Sequence, residues 1–132
     1  MADSKAFLRE IIERHISLTE DVWRDCAAKW QPFDLPKGEF VSRAGEVERY
    51  FYFIEDGLAR GYFVKDGEEF NMGFSYAGDP CGVFDSFYTQ TPAQWYMETL
   101  LPTRGLKISY QSFQELYHQH PIFERWGRIF FT

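Results

Sequence analysis

The sequence predicts a mainly β domain with helices at both ends. Short apolar-aromatic runs recur about every 8–12 residues with turn-forming residues between them, the spacing of an antiparallel sandwich or barrel. Aromatic residues make up 20% and hydrophobic residues 45% of the 132 positions, a share that favours strands and a packed core over disorder. The longer helical patterns lie in residues 1–30 and 110–132. At this length the chain forms one domain.

Taken in order, residues 4–15 read as a helix. Ser4 stands at its start, and Phe7, Leu8, Ile11 and Ile12 form one stripe. Residues 19–30 read as a second helix, with Glu20 and Asp21 in the first turn, where the helix dipole favours acids. Val22, Trp23, Cys26, Ala27 and Trp30 are its apolar face. The texture then changes to strands. Phe33–Leu35 and Glu39–Val41 flank a Pro36-Lys37-Gly38 turn, and Arg43–Glu46 is another turn. Tyr50–Ile54 is apolar on both sides, which predicts a strand covered on both faces or bordered by partly exposed tyrosines. Leu58–Val64 and Glu69–Tyr76 are joined by Asp66-Gly67, a hairpin signal. In the second of these, Phe70, Met72, Phe74 and Tyr76 alternate, which predicts one buried face.

The segment 78–109 is the centre of the chain. Its turn-rich opening, Gly78-Asp79-Pro80-Cys81-Gly82, leads into a short helix over 83–90 and a Thr91-Pro92 turn. Trp95–Leu100 and Leu106–Ser109 follow as strands around a Pro102–Gly105 turn. A helix inserted between strands leaves N–H groups at its N-terminus able to hold an anion. Residues 111–118 read as a helix. Pro121 then opens a last helix carrying Ile122, Phe123, Trp126, Ile129, Phe130 and Phe131. Its persistent apolar face predicts pairing with a second copy, or continuation of the helix in a longer protein.

The bulk numbers narrow the function. Net charge is −6 and there is no basic run, so the segment is a poor nucleic-acid binder by itself. Cys26 and Cys81 form no metal or redox motif, and nothing basic near Cys81 would lower its pKa. Two cysteines without a disulfide framework suit a reducing compartment. The N-terminus lacks an apolar signal-peptide core, and no run reaches the length of a membrane span. The expected location is the cytoplasm.

Lys37-Gly38-Glu39, Arg43-Ala44-Gly45-Glu46, the run from Tyr52 to Arg60, Gly78-Asp79 before Gly82, and Leu106–Ser109 occur in an order that resembles the cyclic-nucleotide-binding domain. The nearest likeness is the sensor domain of the Crp/Fnr family of bacterial transcription regulators. The resemblance spans about residues 5–132. It implies a double-stranded β-helix, or jelly roll, over 31–109, N-terminal helices over 1–30, and helices over 110–132 that include the start of a dimerisation helix. Ile122, Phe123, Trp126, Ile129 and Phe130 are the expected dimer residues. The family's full-length members carry a helix-turn-helix domain after that helix. DNA contact is thus expected only through a domain not present in this chain.

The family's nucleotide cassette pairs Gly-Glu with Arg and Ser or Thr about ten residues later. The Glu accepts from the ribose hydroxyl, and the Arg neutralises the cyclic phosphate. An ungapped match on Gly82 places Val83 at the Glu, Ala93 at the Arg and Gln94 at the Ser. A small slip brings Asp85 into the acidic role, but no slip supplies an arginine, since none lies between Arg60 and Arg104. The expectation is a sensor that does not bind cyclic AMP tightly, needs no cofactor, and takes a more apolar small molecule. The candidate pocket is Phe74, Gly82, Val83, Phe84, Asp85, Ser86, Ala93, Gln94 and Trp95. The alternative is a stand-alone protein-interaction module with a degenerate pocket. An enzyme is not expected: no nucleophile–base–acid arrangement or Walker loop is present. A metal-dependent cupin, also a jelly roll, would need a His-x-His cluster on strands that here contain no histidine. His118 and His120, two apart on a helix, do not share a face for metal binding.

Overall fold

The computed structural model describes residues 4–131, with side chains described to Arg128. Helices α1 (Ser4–Glu13) and α2 (Glu20–Ala27) lead into eight strands. These are β1 (Gln31–Leu35), β2 (Phe40–Ser42), β3 (Tyr50–Asp56), β4 (Ala59–Lys65), β5 (Glu68–Ser75), β6 (Pro80–Cys81), β7 (Tyr96–Thr99) and β8 (Thr103–Ser109). Helix α3 (Phe84–Thr89) interrupts the strands between β6 and β7, and α4 (Tyr110–Gln119) and α5 (Ile122–Phe131) close the chain. The strands form two antiparallel sheets, ordered β1-β8-β3-β6 and β2-β7-β4-β5. This is the expected jelly roll with flanking helices.

Strand β3 explains why its sequence is apolar throughout. Phe51 and Phe53 point to one face, where Trp30, Phe113, Phe123 and Trp126 pack with α1 residues Leu8, Ile11 and Ile12. Tyr52 and Ile54 point to the other face, into the roll with Phe33, Val83, Ala93 and Met97. The strand separates two cores, so both faces are buried, as the pattern predicts. The helices therefore lie on the outer face of the β3 sheet. They are positioned by aromatic edge contacts such as Phe51–Trp126, with ring centroids 5.9 Å apart. Thr19 caps α2 by accepting from the Val22 N–H, and Ser109 caps α4 by accepting from the Ser112 N–H at 3.1 Å.

Two expectations are corrected by this packing. The alternation on β5 predicts one buried face, yet Phe70, Met72, Phe74 and Tyr76 are 41%, 51%, 48% and 57% exposed. The strand is an edge, paired only with β4, and the helices cover the other sheet. The hairpin itself forms as predicted: Asp66 and Gly67 both have positive φ, 54° and 78°, and join β4 to β5. On α5, Phe123 and Trp126 do not face outward for pairing but are each 1% exposed in the helix–sheet core. The amphipathic stripe is present, but its apolar side is consumed by Phe51, Phe53 and Phe113 of the same chain. Ile122 is the exposed member of the expected set. The side chains of Ile129 and Phe130 lie outside the described residues.

Candidate functional site

The segment 78–93 is stitched to the roll at both ends. Gly78 N–H donates to Ile54 O at 2.7 Å, and Ile54 N–H donates to Asp79 O at 3.1 Å. Ala93 N–H donates to Glu46 O at 2.9 Å, and Gly45 N–H donates to Ala93 O at 2.8 Å. Gly82 occupies the turn into α3 at φ 120°, a conformation that favours glycine. A Cβ there would also come within 3.4 Å of the Glu48 carboxylate. Helix α3 ends at Gln90 in the left-handed region, φ 56°. The Gln90 side-chain amide donates to Glu48 O at 2.9 Å and to Phe87 O at 2.7 Å.

Beneath this segment sits a polar knot that sequence reasoning missed. Glu48 is 5% exposed. Its carboxylate accepts from the Ser42 hydroxyl and, at 3.3 Å, from the Tyr50 N–H. The Ser86 hydroxyl accepts from the Glu48 N–H at 2.9 Å and donates to Thr91 O. Burial pushes the Glu48 carboxyl up to about 7, against the opposing pull of Ser42 and the backbone N–H groups of Tyr50, Val83 and Arg49. In sequence Glu48 is one more acid after a turn; only the fold reveals its burial.

Two adjoining cavities open between α3 and the β4–β5 hairpin. One, about 410 Å³, is lined by Phe63, Val64, Met72, Asp85, Gln94 and Trp95. The other, about 140 Å³, shares Met72 and Trp95 and adds Phe74, Gly82, Phe84 and Met97 among others. Of the pocket residues expected from the sequence, Phe74, Gly82, Phe84, Asp85, Gln94 and Trp95 are thus brought together. Val83, Ser86 and Ala93 are not on the wall: they are 1%, 1% and 4% exposed and belong to the interior that supports it. Phe63, Val64, Met72 and Met97 line the cavities without having been expected there. For Met72 the signal lies in the β5 alternation.

No arginine, lysine or histidine is among the described residues lining either cavity. Arg60, next in sequence to the lining residue Gly61, is engaged elsewhere. It lies 2.8 Å from Glu69 and 3.3 Å from Glu98, with its guanidinium 4.1 Å from the centre of the Tyr62 ring. Neither cysteine is activated. Cys26 and Cys81 are buried, and burial pushes both thiols up to about 12. Among the described residues no group of three or more His, Cys, Asp or Glu side chains is placed to hold a metal. No described helix is long and apolar enough to cross a membrane.

Against known proteins, residues 32–120 match the family described as the cyclic nucleotide-binding domain. No curated protein matches the chain. Among solved structures, the chain is similar to the catabolite activator protein of Thermus thermophilus. The TM-score is 0.71 and the identity 16%, over 80% of this chain and 49% of that one. It is similar to the sensor domain of the transcriptional regulator DNR of Pseudomonas aeruginosa, at TM-score 0.71 and 18% identity, over 86% and 76%. It is also similar to the regulatory subunit of a cAMP-independent protein kinase A of Trypanosoma cruzi, bound to guanosine. That match has TM-score 0.72 and 15% identity, over 87% and 42%. The chain therefore spans less than half the length of the first and third of these.

Proposed function

The chain belongs to the cyclic nucleotide-binding domain family, and from that premise we propose that it is the ligand-sensing domain of a Crp/Fnr-like transcription regulator whose pocket rejects cyclic AMP. The observation that carries the reading is the charge of the pocket wall. The cavities are bordered by Gly82, Phe84 and Asp85 of the segment that resembles the family's cassette, and among the described residues the one charged side chain on them is the carboxylate of Asp85. A charged hydrogen bond to an ionised group contributes about 1.5–3 kcal/mol. A buried phosphate without such a partner is strongly disfavoured. With Ala93 in place of an arginine, a cyclic phosphate loses that partner and meets Asp85 nearby. A neutral, largely apolar body suits Met72, Phe74, Phe84 and Trp95 instead.

As a regulator part, the domain would work as a homodimer in the cytoplasm and reach DNA through a separate domain. Since Phe123 and Trp126 are enclosed, Ile122 is the described member of the expected set left for a dimer contact. The test is a melting-temperature screen of the protein with cyclic AMP, cyclic GMP and neutral apolar compounds. The expected result is a rise of several degrees with a neutral compound and none with either nucleotide. A rise confined to the cyclic nucleotides overturns the reading.

A further inference from the structure

We propose that the ligand of this pocket is an amphipathic organic cation, with an aromatic or alkyl body in the smaller, more apolar cavity and a protonated amine in the larger one against Asp85. The inference rests on the reading of the two cavities as one ligand site and adds the chemistry of its head group. The smaller cavity selects the body. Its walls include Phe74, Phe84 and Met97, and Gly61 widens it where a Cβ would come within 3.0 Å of the Met97 sulfur. The hydroxyl of Ser75 is consumed by Pro80 O, to which it donates at 3.1 Å. The smaller cavity therefore offers little polar recognition and has room for a small ring system.

The larger cavity selects the head. Asp85 and Gln94 line it together with Phe63, Val64 and Met72, and Trp95 lines both spaces. Asp85 is held in place because its Oδ1 accepts the Ser86 N–H at 3.0 Å. A carboxylate and a tryptophan ring lining one cavity attract an ammonium group through charge and through the ring's electron-rich face. The same pair repels a phosphate or carboxylate. The domain's net charge of −6 acts in the same direction by drawing cations to the surface.

Three compounds with one ring system separate these effects: tryptamine, which is cationic, tryptophol, which is neutral, and indole-3-propionate, which is anionic. Calorimetric titration of the protein is expected to give the tightest binding for tryptamine. Its advantage over tryptophol is about fivefold at low salt, the size of one exposed cation–π and carboxylate contact. Indole-3-propionate is expected to bind most weakly. In Asp85→Asn the tryptamine advantage disappears while tryptophol affinity is unchanged. Asp85 is exposed, so the variant folds as the parent does. Equal affinity for tryptamine and tryptophol in the parent overturns the cationic head but leaves the apolar pocket standing. Tightest binding of indole-3-propionate overturns both. Saturation by none of the three at millimolar concentration overturns the ligand class, and the nucleotide screen then decides the pocket reading on its own.

Discussion

Replacing Glu48 with Gln removes the one buried carboxyl from the knot under α3 while keeping its shape and most of its hydrogen-bonding capacity. Burial raises this group from an ordinary value of 4.5 to about 7 in the folded protein. The folded state therefore binds the proton more tightly than the unfolded chain does. The resulting stability is fully present below pH 4.5 and is lost as pH rises through about 7. At about 1.4 kcal/mol per pH unit, the difference amounts to about 3 kcal/mol between pH 4 and pH 8. For a domain of this size that is a shift in melting temperature on the order of 10 °C. Other carboxylates add their own pH dependence, so the informative quantity is the parent minus Glu48→Gln. Thermal unfolding of both proteins from pH 4 to 8 is expected to show the parent losing stability relative to the variant, with the loss centred between pH 5 and 7. A difference that stays flat across that range refutes the assignment. It would show that Ser42 and the backbone N–H groups of Tyr50, Val83 and Arg49 hold the carboxylate ionised despite its burial.

Three further outcomes follow from the same geometry. Trp126→Ala leaves a cavity among Phe51, Phe53 and Phe113 and is expected to destabilise by about 3–5 kcal/mol in urea unfolding; a loss under about 1 kcal/mol would place that ring outside the core. Ser86→Ala strips the buried Glu48 N–H and Thr91 O of a shared partner and is expected to cost about 1–3 kcal/mol, measured in the same way. Cys26 and Cys81 are expected to resist a thiol-specific chromophoric reagent at pH 8 until the protein is unfolded, since both thiols are buried and held protonated; rapid reaction of either in the native protein would contradict their placement.

Much of the fold is legible in the sequence because its strands and turns carry strong local signals. The Asp66-Gly67 hairpin, the doubly apolar β3 and the glycine turn before α3 each specify their own geometry. What the chain does not announce locally is which apolar face meets which partner. Phe70, Met72, Phe74 and Tyr76 alternate like a half-buried strand, yet they belong to an edge whose face borders the open cavities. Phe123 and Trp126 read as a surface for a second copy, yet Phe51 and Phe53, some seventy residues earlier, consume them. The site shows the same division. Phe74, Phe84, Asp85, Gln94 and Trp95 are found through the cassette resemblance. Val83 and Ala93, which the ungapped match on Gly82 sets at the family's ligand positions, have their apolar side chains in the interior. Glu48 cannot be found in this way, because its role depends on burial by Tyr52, Cys81 and Gly82, of which the last two are distant in sequence.

The central claim is that the domain keeps the architecture of a nucleotide cassette without a cation to hold the phosphate. Isothermal calorimetry with cyclic AMP at low salt tests it most directly. The account predicts no saturable heat up to millimolar nucleotide, whereas a dissociation constant in the micromolar range would contradict it.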